Sequence, residues 1–350
     1  MTSSLWAKLF DGVPSISTSY LMFIFMLFFI PLYVANLGAS VSYWRCVSYF
    51  AIGVILSCVL SLLLADNQNM REFITIASTD VPDASRACGF VGDGNGFAAQ
   101  VLASLGGVLS LQLSGRARVG HLLMAVALFA CGVVTVSKMF ILLGAVMAVF
   151  WVVGLTLEPG SALRNIVLFG LLAAVVVFAF LGGLFDYQID IYVRRFDLAS
   201  VSLSSLTTLR SDIWAEYLRQ IFSDGSLMLF GDGFGKSYPF VEAANRAASP
   251  HSTPIELVYR LGLVGLVACV IWIVSVVRLA LGNETKRRGA LGATIVLLLG
   301  CFGSWMALAM LTFDDFFYVS AFFAIGYSFL RRGEKGQPCS LATDGRDVSR

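Results

Sequence analysis

The chain has 350 residues, of which 58% are apolar and only 13% are charged, and its formal net charge is +2. Soluble domains carry about 25% charged residues, so this composition excludes an ordinary soluble protein and indicates an integral membrane protein. The small net charge gives no support to a nucleic-acid partner.

Apolar segments long enough to cross a membrane recur along the chain. A spanning helix needs about 20 mostly apolar residues. Nine segments meet this requirement, near residues 20–37, 43–65, 97–114, 119–136, 139–157, 163–184, 256–281, 289–311 and 316–330. The predicted fold is therefore all-α, a polytopic membrane protein with about nine transmembrane helices and one large external loop.

The fourth and fifth segments form one long apolar stretch. It runs from Leu122 to Leu157, interrupted only by "TVSKMF". A single helix of this length would measure about 54 Å, which exceeds a hydrocarbon core of about 30 Å. We therefore expect two antiparallel helices joined by a tight turn at Ser137 and Lys138.

The positions of lysine and arginine predict the orientation. In a nine-helix arrangement the basic residues of alternate short loops fall on one side, namely Arg45, Arg116, Arg118, Arg164, Lys286, Arg287, Arg288, Arg331, Arg332 and Lys335. Such loops face the cytoplasm. Residues 66–96, 185–253 and 312–317 then lie outside, as does the turn at Lys138.

Residues 185–253 are longer than most connections, which indicates a functional or folded loop. Its first part has helical spacing over 204–222, and a glycine-rich turn follows. The predicted organisation has four parts: N-terminal membrane helices 1–184, external loop 185–253, C-terminal membrane helices 254–330 and cytoplasmic tail 331–350.

His251, one of two histidines in the chain, stands just before "TPIE". This tetrapeptide is a capping box with proline at the first helical position, so a helix is expected to begin at 254. A helix N-terminus disfavours a second positive charge. A neutral imidazole is therefore plausible at His251, and it can accept a proton.

The segments "RSDIWAEYLRQIFSDGSLMLFGDGFG" and "HSTPIELVYRLGLVGLVA" resemble the O-antigen ligase and polymerase family (WaaL-like ligases and Wzy-like polymerases). Members have an arginine shortly before a tryptophan, then a glycine-rich turn, then a histidine before the next helix. The matching residues are Arg210, Trp214, Gly231, Gly233, Gly235, His251, Gly262 and Gly265. The resemblance covers roughly 204–275.

The chain departs from the family pattern in two places. The family usually has Ser-Arg at the outer end of an earlier helix, where this chain has Ser137 and Lys138. Lysine keeps the charge but not the bidentate fork of arginine. The family commonly has about a dozen spans, and this chain has fewer at its N-terminal side.

The resemblance implies an inverting, metal-independent glycosyltransferase of the GT-C type in the bacterial inner membrane, without a cofactor. Its donor would be a glycan on undecaprenyl pyrophosphate. Its acceptor would be a sugar hydroxyl, on lipid A-core for a ligase or on another lipid-linked repeat for a polymerase. The short N-terminal part slightly favours a polymerase, but the sequence does not choose between the two or name the sugar.

The predicted site residues follow from this chemistry. A base near neutral pKa must take the hydroxyl proton, and fixed cations must stabilise the departing pyrophosphate. The catalytic candidates are His251 and Arg210. The substrate-binding candidates are Lys138, Arg246, Glu256, Arg260, Asp314 and Asp315, of which Glu256 is also a competing base or a partner that orients the histidine. No cluster of carboxylates or of His and Cys ligands in the sequence suggests a metal ion.

Other interpretations of these residues stay open. Arg210 can pair with Asp212 or Glu216 on its own helix, and Lys138 can snorkel to the membrane interface. A different class of function, a secondary transporter or a flippase for lipid-linked glycans, would bury ionisable groups near the bilayer midplane. The predicted helices place charges at their ends instead, which favours chemistry at one membrane surface. A noncatalytic scaffold would not need a large ordered loop.

Overall fold

A computed structural model describes the following residues: 43–64, 87–91, 93–114, 119–156, 193, 210–233, 238–241, 245–281 and 288–308. Three of the nine predicted spans, 20–37, 163–184 and 316–330, lie outside the described residues. Asp314 and Asp315 lie outside them too.

The described residues are mainly helical. The helices are α1 Tyr43–Leu63, α2 Gly94–Leu113, α3 Val119–Val134, α4 Lys138–Thr156, α5 Arg210–Ser223, α6 Gly225–Phe230, α7 Thr253–Leu281 and α8 Arg288–Phe302, with a 3-10 turn at Gly303–Met306 after α8. Two short antiparallel strands, which the sequence did not predict, lie in the loop: β1 Phe240–Val241 and β2 Arg246–Ala247.

Four of the described helices are long and apolar enough to cross a membrane: Tyr43–Leu63, Gly94–Leu113, Lys138–Leu155 and Thr253–Ile271. Helices α3 and α8 are apolar but shorter. These helices support the prediction of a helical membrane protein. The six predicted spans within the described residues each coincide with a helix, and the total of nine stays a prediction.

Helix α2 is the centre of the helical bundle. It is buried along nearly its whole length and packs against α1, α3, α4 and, most extensively, α8. Small residues allow this close packing. A Cβ atom added to Gly106 would lie 2.8 Å from the Val296 carbonyl oxygen, and one added to Gly300 would lie 2.5 Å from the Leu102 carbonyl oxygen. Both glycines therefore let the α2 and α8 backbones meet.

The long apolar stretch is divided between two helices, as the sequence predicted. Helix α3 ends at Val134 and α4 begins at Lys138. The turn between them contains Val136 with a φ of 52°, and the Ser137 hydroxyl donates to Asn95 Oδ1 at 3.0 Å. This turn is therefore fixed against the start of α2.

The contacts define two ends of the bundle. At one end the Tyr43 hydroxyl lies 2.8 Å from the Ser110 hydroxyl, and His121 Nε2 lies 3.3 Å from Ser48 Oγ. The other end, here called the loop end, contains residues 87–91, 93–95, 134–143 and 303–308. Consequently α1, α3 and α8 run towards the loop end, and α2 and α4 run away from it. These directions agree with the alternating helix directions of the nine-helix prediction.

Candidate functional site

Helix α7 begins at the loop end and is interrupted by Gly262. It begins at Thr253, one residue before the predicted start, and Gly262 has φ 69° and ψ −175°. Glycine adopts such a conformation without the penalty that a Cβ atom brings. A Cβ atom there would also collide with the Leu229 carbonyl oxygen. Gly262 therefore allows both the break in α7 and the close approach of the loop.

The glycine-rich turn of the loop crosses α7 at this break. Gly231 and Gly233 have φ values of 72° and 77°, a conformation that favours glycine, while Gly235 lies outside the described residues. The Asp232 N–H donates to the Tyr259 carbonyl at 2.8 Å, and the Gly233 N–H donates to the Arg260 carbonyl at 2.9 Å. The turn thus supplies donors to helix carbonyls next to the break.

Two ionisable residues of α7 are buried beneath this turn. Glu256 and Arg260 are 0% and 3% exposed. The Tyr238 hydroxyl donates to Glu256 Oε1 at 2.8 Å, and Arg260 Nη1 donates to the Gly233 carbonyl at 3.1 Å. The Arg260 guanidinium also lies 4.8 Å from the Tyr238 ring centroid. These contacts fasten the loop to α7, and the predicted substrate-binding role of both residues stays a prediction.

Helix α5 holds the segment that leads to His251. Its buried face carries Tyr217, whose hydroxyl donates to the Ala248 carbonyl at 2.8 Å and whose phenol pKa is raised by burial. Trp214 Nε1 donates to the Pro250 carbonyl at 2.7 Å. The tryptophan of the family-like pattern therefore fixes the residue next to His251.

His251 itself has a strained backbone. Its φ is 46°, it is half-buried, and its N–H donates to Ser249 Oγ at 3.3 Å. Positive φ is uncommon in residues other than glycine, although histidine adopts it more often than most. Two residues later the Thr253 hydroxyl donates to the Leu308 carbonyl at 2.6 Å. His251 is therefore anchored through its neighbours on both sides.

Arg210 meets the same short segment that anchors Thr253. Arg210 Nη1 donates to the Ala307 carbonyl at 2.7 Å. The carbonyls of Ala307 and Leu308 are consecutive, so the first residue of α5 and the first residue of α7 are bound side by side. Glu216, one of the two carboxylates considered as partners of Arg210, binds Arg219 at 2.7 Å.

The predicted Lys138 lies at this end of the bundle as well. It is the first residue of α4, and a Cβ atom added to Gly303 would lie 3.0 Å from Leu143 Cδ1 in the second turn of that helix. Residues 303–308 are therefore in contact with the beginnings of α4, α5 and α7. The sequence did not single out this segment, because it contains no charged residue.

The remaining predicted site residues are less informative. The backbone of Arg246 pairs with Val241 in the two-stranded sheet. Asp314 and Asp315 are beyond the described residues, so their predicted role stays a prediction. Sequence reasoning also missed Tyr238, the partner of Glu256; a tyrosine in the polar loop was its only signal.

No protein-family model matches the sequence, and no curated protein is significantly similar to it.

Proposed function

We propose that this protein is a membrane glycosyltransferase of the O-antigen ligase and polymerase type. It transfers a glycan from undecaprenyl pyrophosphate to a sugar hydroxyl at the outer face of a bacterial inner membrane, and polymerase is slightly favoured over ligase. One observation carries the proposal: Arg210 and Thr253 bind consecutive carbonyls, Ala307 and Leu308. A guanidinium and the segment bearing His251 are thereby held side by side at one end of the bundle.

In the proposed reaction His251 is the general base. Its neutral imidazole accepts the proton of the acceptor hydroxyl. The hydroxyl oxygen then attacks the anomeric carbon of the donor from the face opposite the pyrophosphate. The bond from that carbon to the pyrophosphate oxygen breaks, and the bonding electrons leave with the lipid pyrophosphate. The anomeric configuration is inverted, and no further co-reactant is needed.

Fixed cations assist the departure of the lipid pyrophosphate. Negative charge develops on the leaving oxygen, and preorganised donors stabilise it most effectively where water is excluded. Arg210 would supply a guanidinium at this end of the bundle, where its Nη1 binds the Ala307 carbonyl. Lys138 adds a second cation at the same end of the bundle.

The backbone is strained at His251 and just before Lys138, which supports a functional role for both positions. His251 and Val136, which precedes Ser137 and Lys138, both have positive φ values, of 46° and 52°. Such conformations cost about 1–3 kcal/mol each and are found preferentially at functional sites. Val136 is the stronger case, since positive φ is a clear outlier for a β-branched residue.

The transporter alternative finds less support. A transporter is expected to have ionisable residues near the middle of its spanning helices. In the described helices α1, α2 and α4, Arg45 and Lys138 lie within the first three residues, and α2 has no ionisable residue. In α7 the buried Glu256 and Arg260 lie in the first eight residues, before the break at Gly262. This placement favours chemistry at one membrane surface over transport across the membrane.

Complementation of a deletion strain tests the proposal. Arg210→Ala and His251→Ala are expected to abolish polymer formation or attachment on the cell surface, with the variants still present in the membrane. Arg219→Ala is the matched control for Arg210, because it lies on the same helix but is exposed and pairs with Glu216. Normal polysaccharide from both test variants would refute the proposal.

The accumulated intermediate separates the two reactions. Loss of a polymerase leaves single lipid-linked repeats, which is the expected result here. Long lipid-linked polymer would instead identify a ligase, whose acceptor is lipid A-core.

A further inference from the structure

Helix α5 has three distinct faces. Ile213, Tyr217 and Ile221 form its buried stripe. With 3.6 residues per turn, Leu218 and Phe222 lie on one side of this stripe and Glu216 lies on the other. Leu218 is 40% exposed and Phe222 is 70% exposed. The helix therefore presents an exposed apolar side and a polar side at the same time, which is typical of a helix that lies at a membrane interface.

Leu229 extends this apolar surface along α6. It is 44% exposed. Its main-chain carbonyl is the group that a Cβ atom on Gly262 would meet. We call Leu218, Phe222 and Leu229 the apolar flank. The contact at Gly262 fixes the flank at the level of the break in α7.

The break in α7 marks the level at which lipid contact begins. The part of α7 before Gly262 has no exposed apolar side chain, whereas Leu263, Val264 and Val267, just after it, are 37%, 54% and 54% exposed. The lipid-facing surface of the helix therefore starts next to Leu229.

The length of α7 also places the boundary of the hydrocarbon core at Gly262. The helix ends at Leu281, so 19 residues follow Gly262. At 1.5 Å per residue they span about 29 Å, which matches a hydrocarbon core of about 30 Å. The nine residues from Thr253 to Leu261 then stand above the hydrocarbon, where the loop covers the buried Glu256 and Arg260.

We infer that the apolar flank inserts into the bilayer leaflet on the loop side and seats the loop on the membrane surface. The occupant of this surface is lipid acyl chain, because the flank continues the lipid-facing surface of α7 at the depth where that surface begins. Glu216 and Arg219, which pair with each other on the polar side of α5, face water. This inference does not depend on the proposed glycosyl transfer.

Fluorescence depth measurements test the inference in the full chain, reconstituted into bilayers of phosphatidylethanolamine and phosphatidylglycerol. Phe222→Cys and Leu229→Cys are labelled with an environment-sensitive fluorophore, and Arg219→Cys on the same helix is the matched control. The parent chain, whose described cysteines are buried or half-buried, gives the background labelling.

Labels at 222 and 229 are expected to be quenched several-fold more strongly by nitroxide-labelled lipids than the label at 219, and less by aqueous iodide. Equal quenching at all three positions would overturn the inference. Protection from iodide without quenching by lipid would also overturn it, because a partner protein or a second copy would then cover the flank.

A second measurement guards against disturbance by the labels. In bilayers Phe222→Asp is expected to accelerate amide hydrogen exchange across α6 several-fold, and Arg219→Asp is expected to leave it unchanged. Unchanged exchange in both variants would count against the inference. Neither measurement needs glycan transfer, so failure of the proposed function and failure of this inference are distinguishable.

Discussion

Replacement of Gly262 by alanine tests the most specific feature of the site, the crossing of the loop over the break in α7. Gly262 has a φ of 69°, and an added Cβ atom would collide with the Leu229 carbonyl oxygen. An alanine at positive φ costs about 1–3 kcal/mol. If the collision also displaces the loop, the hydrogen bonds to the carbonyls of Tyr259 and Arg260 are lost, at about 0.5–1.5 kcal/mol each.

The sum of these costs is about 4 kcal/mol. It exceeds the roughly 0.4–1 kcal/mol by which alanine stabilises a compatible position through the unfolded chain. About 3 kcal/mol therefore remains, and since about 1.4 kcal/mol corresponds to a factor of ten, the equilibrium for loop opening should shift by roughly 10²-fold.

Amide hydrogen exchange measures this opening directly. The amides of Asp232 and Gly233, which bind α7, should lose protection in Gly262→Ala by up to this factor. Gly53→Ala is the control, because an added Cβ atom there has nothing within 4 Å and α1 is a regular helix. If both amides exchange as slowly in Gly262→Ala as in the parent chain, the crossing does not hold the loop and the reasoning is wrong.

Two further predictions follow from the anchors of the loop. Thr253→Val removes the hydroxyl that binds the Leu308 carbonyl. It should lower stability by about 1 kcal/mol and reduce the proposed glycan transfer, and Thr253→Ser should restore both. Equal activity of the two variants in the complementation assay would contradict a positioning role for Thr253. Asp224 caps α6, and the hydrogen bond from the Ser226 side chain, with those from the Leu227 and Ser226 amides, lowers the pKa of its carboxyl. A lowered folded pKa contributes stability that is present above the unfolded value, about 3.9, and is lost as pH falls through the folded value. Exchange at Ser226 and Leu227 should therefore accelerate in that acidic range in the parent chain, and a chain with Asp224→Asn should lack this pH dependence.

Much of the helical framework could be predicted from the sequence. Continuous apolar composition indicates a spanning helix. The apolar stretch from Leu122 to Leu157 is too long for one such helix, which required the turn that the structure has before Lys138. Helical spacing also identified α5, which ends at Ser223, one residue after the predicted end. These predictions depend on local pattern and on the thickness of a bilayer, so one sequence is sufficient for them.

The contacts of the site could not be predicted in the same way. Arg210 and Thr253 bind a segment about 50 to 100 residues further along the chain, and a single sequence has no signal for such a long-range pairing. The acceptors are backbone carbonyls, which every residue has, so no particular residue type at 307 and 308 indicates them. The two short strands were missed for a similar reason, since two residues each are too few to show an alternating pattern.

The burial of Glu256 and Arg260 follows from the same geometry that fixes the loop. At 29 residues α7 is longer than a bilayer requires, and a continuous helix would expose its first turns to water. The break at Gly262 separates a membrane-spanning part from a part that the loop covers. Buried charges are costly unless their polar atoms are bound; here the Tyr238 hydroxyl binds Glu256 Oε1 and the Gly233 carbonyl binds Arg260 Nη1. The loop therefore covers the part of α7 before the break, and the contacts of Glu256 and Arg260 join the two.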